Sequence, residues 1–138
     1  MIKVLILCTG NSCRSQMADG WLKHFTKRDK VEIYSAGTHP ETVNPYAVNV
    51  MSKYGIDISK NKSNNVLEYK DVEFDYVFTV CDSAKELCPV FPSSIVIHKS
   101  FPDPAKARGT DKELIKIYSE VCKDLKIYFE QFVKNYLS

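Results

Sequence analysis

The chain has 138 residues, 44% of them hydrophobic and 26% charged, an ordinary globular balance that can bury a core and excludes a disordered chain, so one compact domain over 1–138 is expected. Nineteen Lys and Arg against 17 Asp and Glu leave a net charge of +2, too even for the dense basic face that a phosphate backbone demands, so no nucleic-acid partner is expected. The opening apolar run is far shorter than a membrane span of ~20 residues, and an odd count of five cysteines argues against a secreted disulfide framework, so no membrane association and a reducing, cytoplasmic location are expected.

Lys3 to Cys8 reads as a short, nearly continuous apolar strand of the kind buried on both faces of a parallel sheet. The polar turn Thr9 to Ser12 follows. Ala18, Trp21, Leu22 and Phe25 then fall at i, i+3, i+4 and i+7, so the turn leads into an amphipathic helix. Val31 to Ala36 is the second strand, closed by Gly37. Asn44 is placed to cap a second helix and Pro45 to open it, with Ala47, Val50, Met51 and Tyr54 as its core face and Gly55 as its stop. Asp57 to Glu73 is polar and Asn-rich, and reads as loop with at most one short helix. Phe74 to Cys81 is a third strand and Ser94 to His98 a shorter fourth. Thr110 and Glu113 spell a capping box ahead of Leu114, Ile117, Val121, Leu125, Tyr128 and Phe132, a stripe that predicts one long helix running to the C-terminus. Strands alternating with helices imply a parallel sheet with right-handed crossovers. Ligands of such sheets lie beyond the carboxyl ends of the strands, where Cys8, Cys81 and the loop after His98 all fall.

The strongest chemical signal is Cys8-Thr9-Gly10-Asn11-Ser12-Cys13-Arg14-Ser15. Successive backbone N–H groups in a tight, Gly-containing loop can point inward as an anion nest, and the following helix adds its positive dipole end. Arg14 can offer a bidentate fork to two oxygens of a tetrahedral anion, and the same positive environment favours the thiolate of Cys8 as a nucleophile. Ser15 and Asn11 are placed either to hold that thiolate and the loop or to cap the helix. Pro102-Asp103-Pro104 holds a carboxylate on a stiff loop after the last strand. Alone this is a turn, but opposite an anion nest Asp103 suits a general acid that protonates a leaving oxygen. Cys81 and Cys88 are separated by six residues, too many for a structural zinc pair, and read as a redox pair or as two inert buried cysteines. Cys13 reads as a small residue packed under the helix start that can also trap oxidised Cys8, and Cys122 as core. His24, His39 and His98 suggest no metal set and read as surface or loop.

The Cys-x5-Arg-Ser loop, Ser35-Ala36-Gly37 after the second strand and the late Asp103-Pro104 together resemble the low-molecular-weight protein tyrosine phosphatase fold, over about Lys3 to Phe132. Within that superfamily the wording Cys8-Thr-Gly-Asn-Ser-Cys-Arg-Ser-Gln-Met-Ala18, with Cys81 and Cys88, is closer to the thioredoxin-coupled arsenate reductases. The resemblance implies that Cys81 attacks an arsenic adduct of Cys8 and that Cys88 resolves the resulting Cys8 to Cys81 disulfide. It also implies that thioredoxin is the external reductant, that no cofactor is tightly bound, and that residues Thr9 to Ser15 bind arsenate, phosphate or sulfate. Some members bind potassium beside the loop through positions that map to Asn11, Asp19, Ser35 and Asn64, where Asp19 is shorter and Asn64 uncharged.

The expected fold is therefore a three-layer α/β domain with a four-stranded parallel sheet, order 2-1-3-4, helices on both faces, acting as a monomer. The expected function is arsenate reduction. A tyrosine phosphatase working through a Cys8 phosphocysteine is the alternative, and an oxyanion-binding or phosphocysteine transfer module, needing neither Asp103 nor the cysteine pair, is a third class.

Overall fold

The computed structural model describes residues 1–82, 91 and 94–137. Four parallel strands, β1 (Ile2–Cys8), β2 (Val31–Gly37), β3 (Tyr76–Thr79) and β4 (Ile95–His98), form one sheet in the order β2-β1-β3-β4. β1 lies second in the sheet, and Val4 through Cys8 are all buried, which is why its sequence is apolar without alternation. The register sets Cys8 beside Gly37 and Leu7 beside Thr79, so the carboxyl ends of β1, β2 and β3 open on one rim.

Three helices follow the expected places: α1 (Arg14–Phe25), α2 (Pro45–Ser52) and α3 (Asp111–Phe132). The Asn44 side chain caps α2 through the Tyr46 and Ala47 amides, and Thr110 with Glu113 completes a reciprocal capping box on α3. The stretch after α2 holds one short 3-10 turn, Val66–Tyr69, itself boxed by Asn65 and Glu68. α1, α2 and α3 pack on one another. The lone tryptophan, Trp21, is 1% exposed and donates its indole N–H to the Cys122 carbonyl at 3.2 Å, tying α1 to α3, while the Cys122 thiol meets Met51 of α2. Phe78 of β3 sits edge-on to Phe129 and Phe132 of α3. Tyr34 of β2, Tyr69 of the 3-10 turn and Phe74 form a separate ring cluster, so helical elements cover the sheet on both sides.

The structure corrects three expectations. β3 is four residues rather than eight: Phe74 is buried ahead of it, Asp75 bonds to Lys3 and Ile95 just before it, and Val80 continues the pairing after it through Leu7. β1 turns away at Cys8, so Cys81 has no strand left to pair with. The buried face of α3 is Tyr118, Val121, Cys122, Leu125, Phe129 and Phe132, whereas Leu114, Ile117 and Tyr128 are half-buried. The helix is rotated because it must face α1, α2 and β3 together. Tyr54 lies past the end of α2 and is 45% exposed, its ring edge on Trp21 rather than in the core. Gly55 takes a left-handed φ of 78° at that stop. Among the described residues no helix is long and apolar enough to cross a membrane.

Candidate active site

Between the end of β1 at Cys8 and the start of α1 at Arg14 the chain makes one tight loop, and its carbonyls are all turned outward. The Thr9 carbonyl accepts from the His39 amide (2.8 Å), Gly10 from Glu41 (2.7 Å) and Ser12 from Asn44 (2.9 Å). The Asn11 carbonyl takes the Gln16 side-chain amide at 2.9 Å and the Ser63 hydroxyl at 2.7 Å. The peptide N–H groups of Gly10, Asn11, Ser12 and Cys13 have no protein acceptor among the described residues. Carbonyls held out and amides left free make the loop a concave set of donors at a helix N-terminus, the geometry that binds an oxyanion. Gly37 makes room for it: a Cβ there would stand 2.5 Å from the Thr9 carbonyl and 2.8 Å from the Asn11 nitrogen.

Asn11 carries the loop's reversal at a left-handed φ of 47°, a conformation Asn tolerates better than most residues. Its side chain is fixed at both ends. The Asn64 amide donates to Oδ1 at 2.8 Å, so Nδ2 faces Ser15 and donates to its hydroxyl at 2.7 Å. With one lone pair so occupied, the Ser15 hydroxyl has its own proton free for Cys8 Sγ, 2.9 Å away. Cys8 is 2% exposed, so this donor is a large part of what can stabilise a thiolate there. Ser15 therefore serves the sulfur, and the N-cap of α1, at Cys13, has no side-chain cap bond.

Arg14 donates to the Phe101 carbonyl at 3.0 Å and lies 3.6 Å from Asp103, an ion pair that crosses from α1 to the loop after β4. The other Asp103 oxygen accepts from the Ala105 amide at 3.0 Å, so the carboxylate is oriented by its own 3-10 turn, Pro104–Lys106. Cys81 is buried, and its Sγ is 3.3 Å from the Thr9 hydroxyl. Cys8, Thr9, Gly10, Ser12, Cys13, Arg14, Cys81 and Asp103 thus line one cavity of about 470 Å³. Cys13 is buried at the helix start, where burial and the neighbouring Cys8 push its thiol up. Cys88, expected as the third redox residue, lies outside the described residues.

Several residues of this site carry roles their sequence did not announce. Asn44 was legible only as a cap, yet its amide group also donates to the Tyr118 hydroxyl at 3.0 Å. Burial, the Cys13 thiol beside it and other nearby groups push that phenol up to about 12. Gln16 ties the loop to Lys62 and Asn61, and only its place one residue after Ser15 hints at this. His98, expected at the surface or in a loop, ends β4, half-buried and bonded on both ring nitrogens.

The residues mapped to a potassium site do not fit that ion. Asn11 Oδ1 is taken by the Asn64 amide and the Ser35 carbonyl by the Asn64 side-chain amide at 3.3 Å. Asp19, 2% exposed, is paired with the Lys23 ammonium at 3.1 Å and with Asn61 at 3.2 Å. A cation would have to displace an ammonium already in contact with the one buried carboxylate of the set.

A parallel four-stranded sheet in this order, with a Cys-x5-Arg loop on the rim of its second strand and a facing Asp-Pro, defines a class. Residues 3–136 match the family model of the low molecular weight phosphotyrosine protein phosphatases, and the chain belongs to that family. Within it, the chain is 42% identical over 132 residues to an arsenate reductase of Halalkalibacterium halodurans, covering 92% of this chain and 94% of that one. It is 38% identical over 135 residues to an arsenate reductase of Bacillus subtilis, covering 96% and 95%. A solved arsenate reductase in an oxidised state superposes with a TM-score of 0.81 at 26% identity, over 98% of each chain.

Proposed function

We propose that the protein is an arsenate reductase in which Cys8, Cys81 and Cys88 relay electrons from thioredoxin to arsenic. The observation that carries this reading is the second thiol: Cys81 Sγ reaches the anion loop through Thr9 and opens on the same cavity as Cys8. A phosphatase needs one cysteine there. The names of the relatives support arsenate as the substrate.

The loop amides and Arg14 hold the tetrahedral anion with its centre over Cys8. The Cys8 thiolate, released to the substrate by Ser15, attacks arsenic and forms an S–As bond, while Asp103 protonates the oxygen that leaves. Cys81 then attacks the Cys8 sulfur. The new S–S bond forms as the S–As bond breaks, its electron pair staying on arsenic, so As(V) becomes As(III) and arsenite departs. Cys88 displaces Cys8 from Cys81, and thioredoxin reduces the Cys81–Cys88 disulfide. The cycle takes place in the cytoplasm and calls for no tightly bound cofactor.

A tyrosine phosphatase acting through a Cys8 phosphocysteine is the second reading, favoured by the family as a whole. Against it, Asp103-Pro104 continues as Ala105-Lys106-Ala107, with no aromatic side chain to stack on a phenyl ring. The deciding experiment measures arsenate-dependent NADPH oxidation with thioredoxin and thioredoxin reductase beside hydrolysis of phosphotyrosine peptides at matched concentration. Turnover of arsenate well above that of the peptides is expected. The reverse order would make the protein a phosphatase.

A further inference from the structure

Cys81 stands just past the last paired residues of β3, where no strand holds it, yet its thiol must meet Cys8 in a fixed direction. One imidazole touches the chain on either side of it. Thr79, the last residue of β3, is opposite His98, the last residue of β4, and the Thr79 hydroxyl lies 2.8 Å from His98 Nδ1. The other ring nitrogen, Nε2, lies 3.1 Å from the carboxylate of Asp82. His98 therefore spans from Thr79 to Asp82 and brackets Val80 and Cys81 between its two bonds.

The backbone inside the bracket is pinned as well. The Val80 amide donates to Leu7 of β1 and its carbonyl accepts from Phe101, while the Lys99 amide donates to the Thr79 carbonyl. Cys81 has no backbone bond of its own among the described residues; its thiol meets the Thr9 hydroxyl at 3.3 Å, and its chain runs on into Asp82, the far end of the bracket. Asp82 is 80% exposed by its side chain, and among the described residues its carboxylate is oriented by the His98 ring. The bracket holds in both charge states of the ring. A carboxylate only accepts, so Nε2 carries a proton in either; Nδ1 accepts from the Thr79 hydroxyl when the ring is neutral and donates to its oxygen when it is charged.

We propose that His98 is a positioning residue for Cys81: by bridging Thr79 to Asp82 it aims the second thiol at Cys8. This rests on the reductase reading for its place in the cycle, at the step in which Cys81 attacks Cys8, but not for the geometry. Nothing in the first step, attack by Cys8 with Arg14 and Asp103, involves the bracket.

The test compares wild type, His98→Ala, His98→Gln and Asp82→Ala as full chains, with thermal melts to show that each is folded. Two steps are read separately: hydrolysis of an aryl phosphate, which uses Cys8 alone, and single-turnover release of arsenite from arsenate. A third measurement, the rate of Cys8–Cys81 disulfide formation on addition of one equivalent of hydrogen peroxide, followed by non-reducing peptide mapping, reports the meeting of the two thiols without arsenate. In it Cys81 displaces water from a peroxide-oxidised Cys8 sulfur. His98→Ala is expected to slow arsenite release and disulfide formation by about tenfold or more, the scale on which small misplacements act, with aryl phosphate hydrolysis within about twofold of wild type. His98→Gln, whose amide can accept from Thr79 and donate to Asp82, should restore most of the loss. Asp82→Ala, which removes one leg at an exposed position, should slow disulfide formation. Equal losses in all three measurements, no loss in disulfide formation, or failure of glutamine to rescue a folded variant would overturn the proposal. A wild type that forms the disulfide with peroxide but releases no arsenite would overturn the reductase reading instead, and the peroxide rates would still decide the role of His98.

Discussion

The Asn64 amide fixes the Asn11 side chain, Asn11 fixes which lone pair of Ser15 is occupied, and Ser15 is thereby left to give its proton to Cys8. Ser15→Ala removes the donor to the sulfur and leaves the buried Asn11 amide without its acceptor. Loss of one such donor should lower kcat/KM by about 10²-fold, and the orphaned amide should cost about 1–3 kcal/mol of stability, seen in urea unfolding. An unaltered rate would show that the thiolate is held by the loop amides alone. Asp103→Asn separates acid chemistry from loop shape, because Asn keeps the oxygen that accepts from the Ala105 amide. Formation of the Cys8 adduct in a single turnover should slow by ~10²- to 10⁴-fold while phosphate still protects against unfolding. If the adduct forms at the wild-type rate, Asp103 is only the turn residue that Pro-Asp-Pro suggests.

Helix α1 carries Arg14 to the cavity wall at its first turn and buries Asp19 one and a half turns on. Burial holds the Asp19 carboxyl above its ordinary 3.8, against the opposing pull of Lys23. A carboxyl that binds its proton more tightly in the native state than in the unfolded chain makes stability fall as pH rises from the unfolded value through the native one. Asp19→Asn stays neutral throughout, so its Tm should improve relative to wild type as pH rises above the carboxyl's ordinary 3.8. A Tm difference that does not change with pH would place the Asp19 carboxyl at its ordinary value. At the end of β2 the pressing contact is steric. Gly37→Ala drives a methyl into the Thr9 carbonyl and Asn11 nitrogen, backbone that cannot rotate away, so the loop must shift. Phosphate affinity should drop sharply, with about 1–3 kcal/mol lost in stability. An alanine variant that binds phosphate normally would mean the loop tolerates a different path.

Taken as a whole, the molecule gathers Cys8 and Cys81, from two distant segments, at the carboxyl edge of one sheet, and the proposed relay predicts where it stalls. Cys88→Ser should release about one equivalent of arsenite per chain and stop with Cys8 joined to Cys81, detected by non-reducing peptide mapping. Continued thioredoxin-driven turnover in that variant would leave Cys81 as the only redox partner. Much of this was legible in the residues: the continuous apolar β1, the caps at Asn44 and Thr110, and the Cys8 to Ser15 loop each obey local rules that the packing respects. Less legible were contacts between residues far apart in sequence, such as Asn11 with Asn64, Asn44 with Tyr118 and His98 with Asp82, because a polar side chain looks the same in sequence whichever distant partner it finds. The rotated face of α3 was hidden for a related reason: periodicity locates a stripe, while three neighbours at once decide its centre. Trp21 adds an optical consequence. It is the chain's single indole, buried and bonded to the Cys122 carbonyl, about two turns down the helix that begins at Arg14. Its emission is therefore a built-in gauge of the α1–α3 seam, free of background from any other indole. A signal that stays constant during catalysis and changes only on denaturation would show that the helical layer stays fixed while the thiols exchange at the rim.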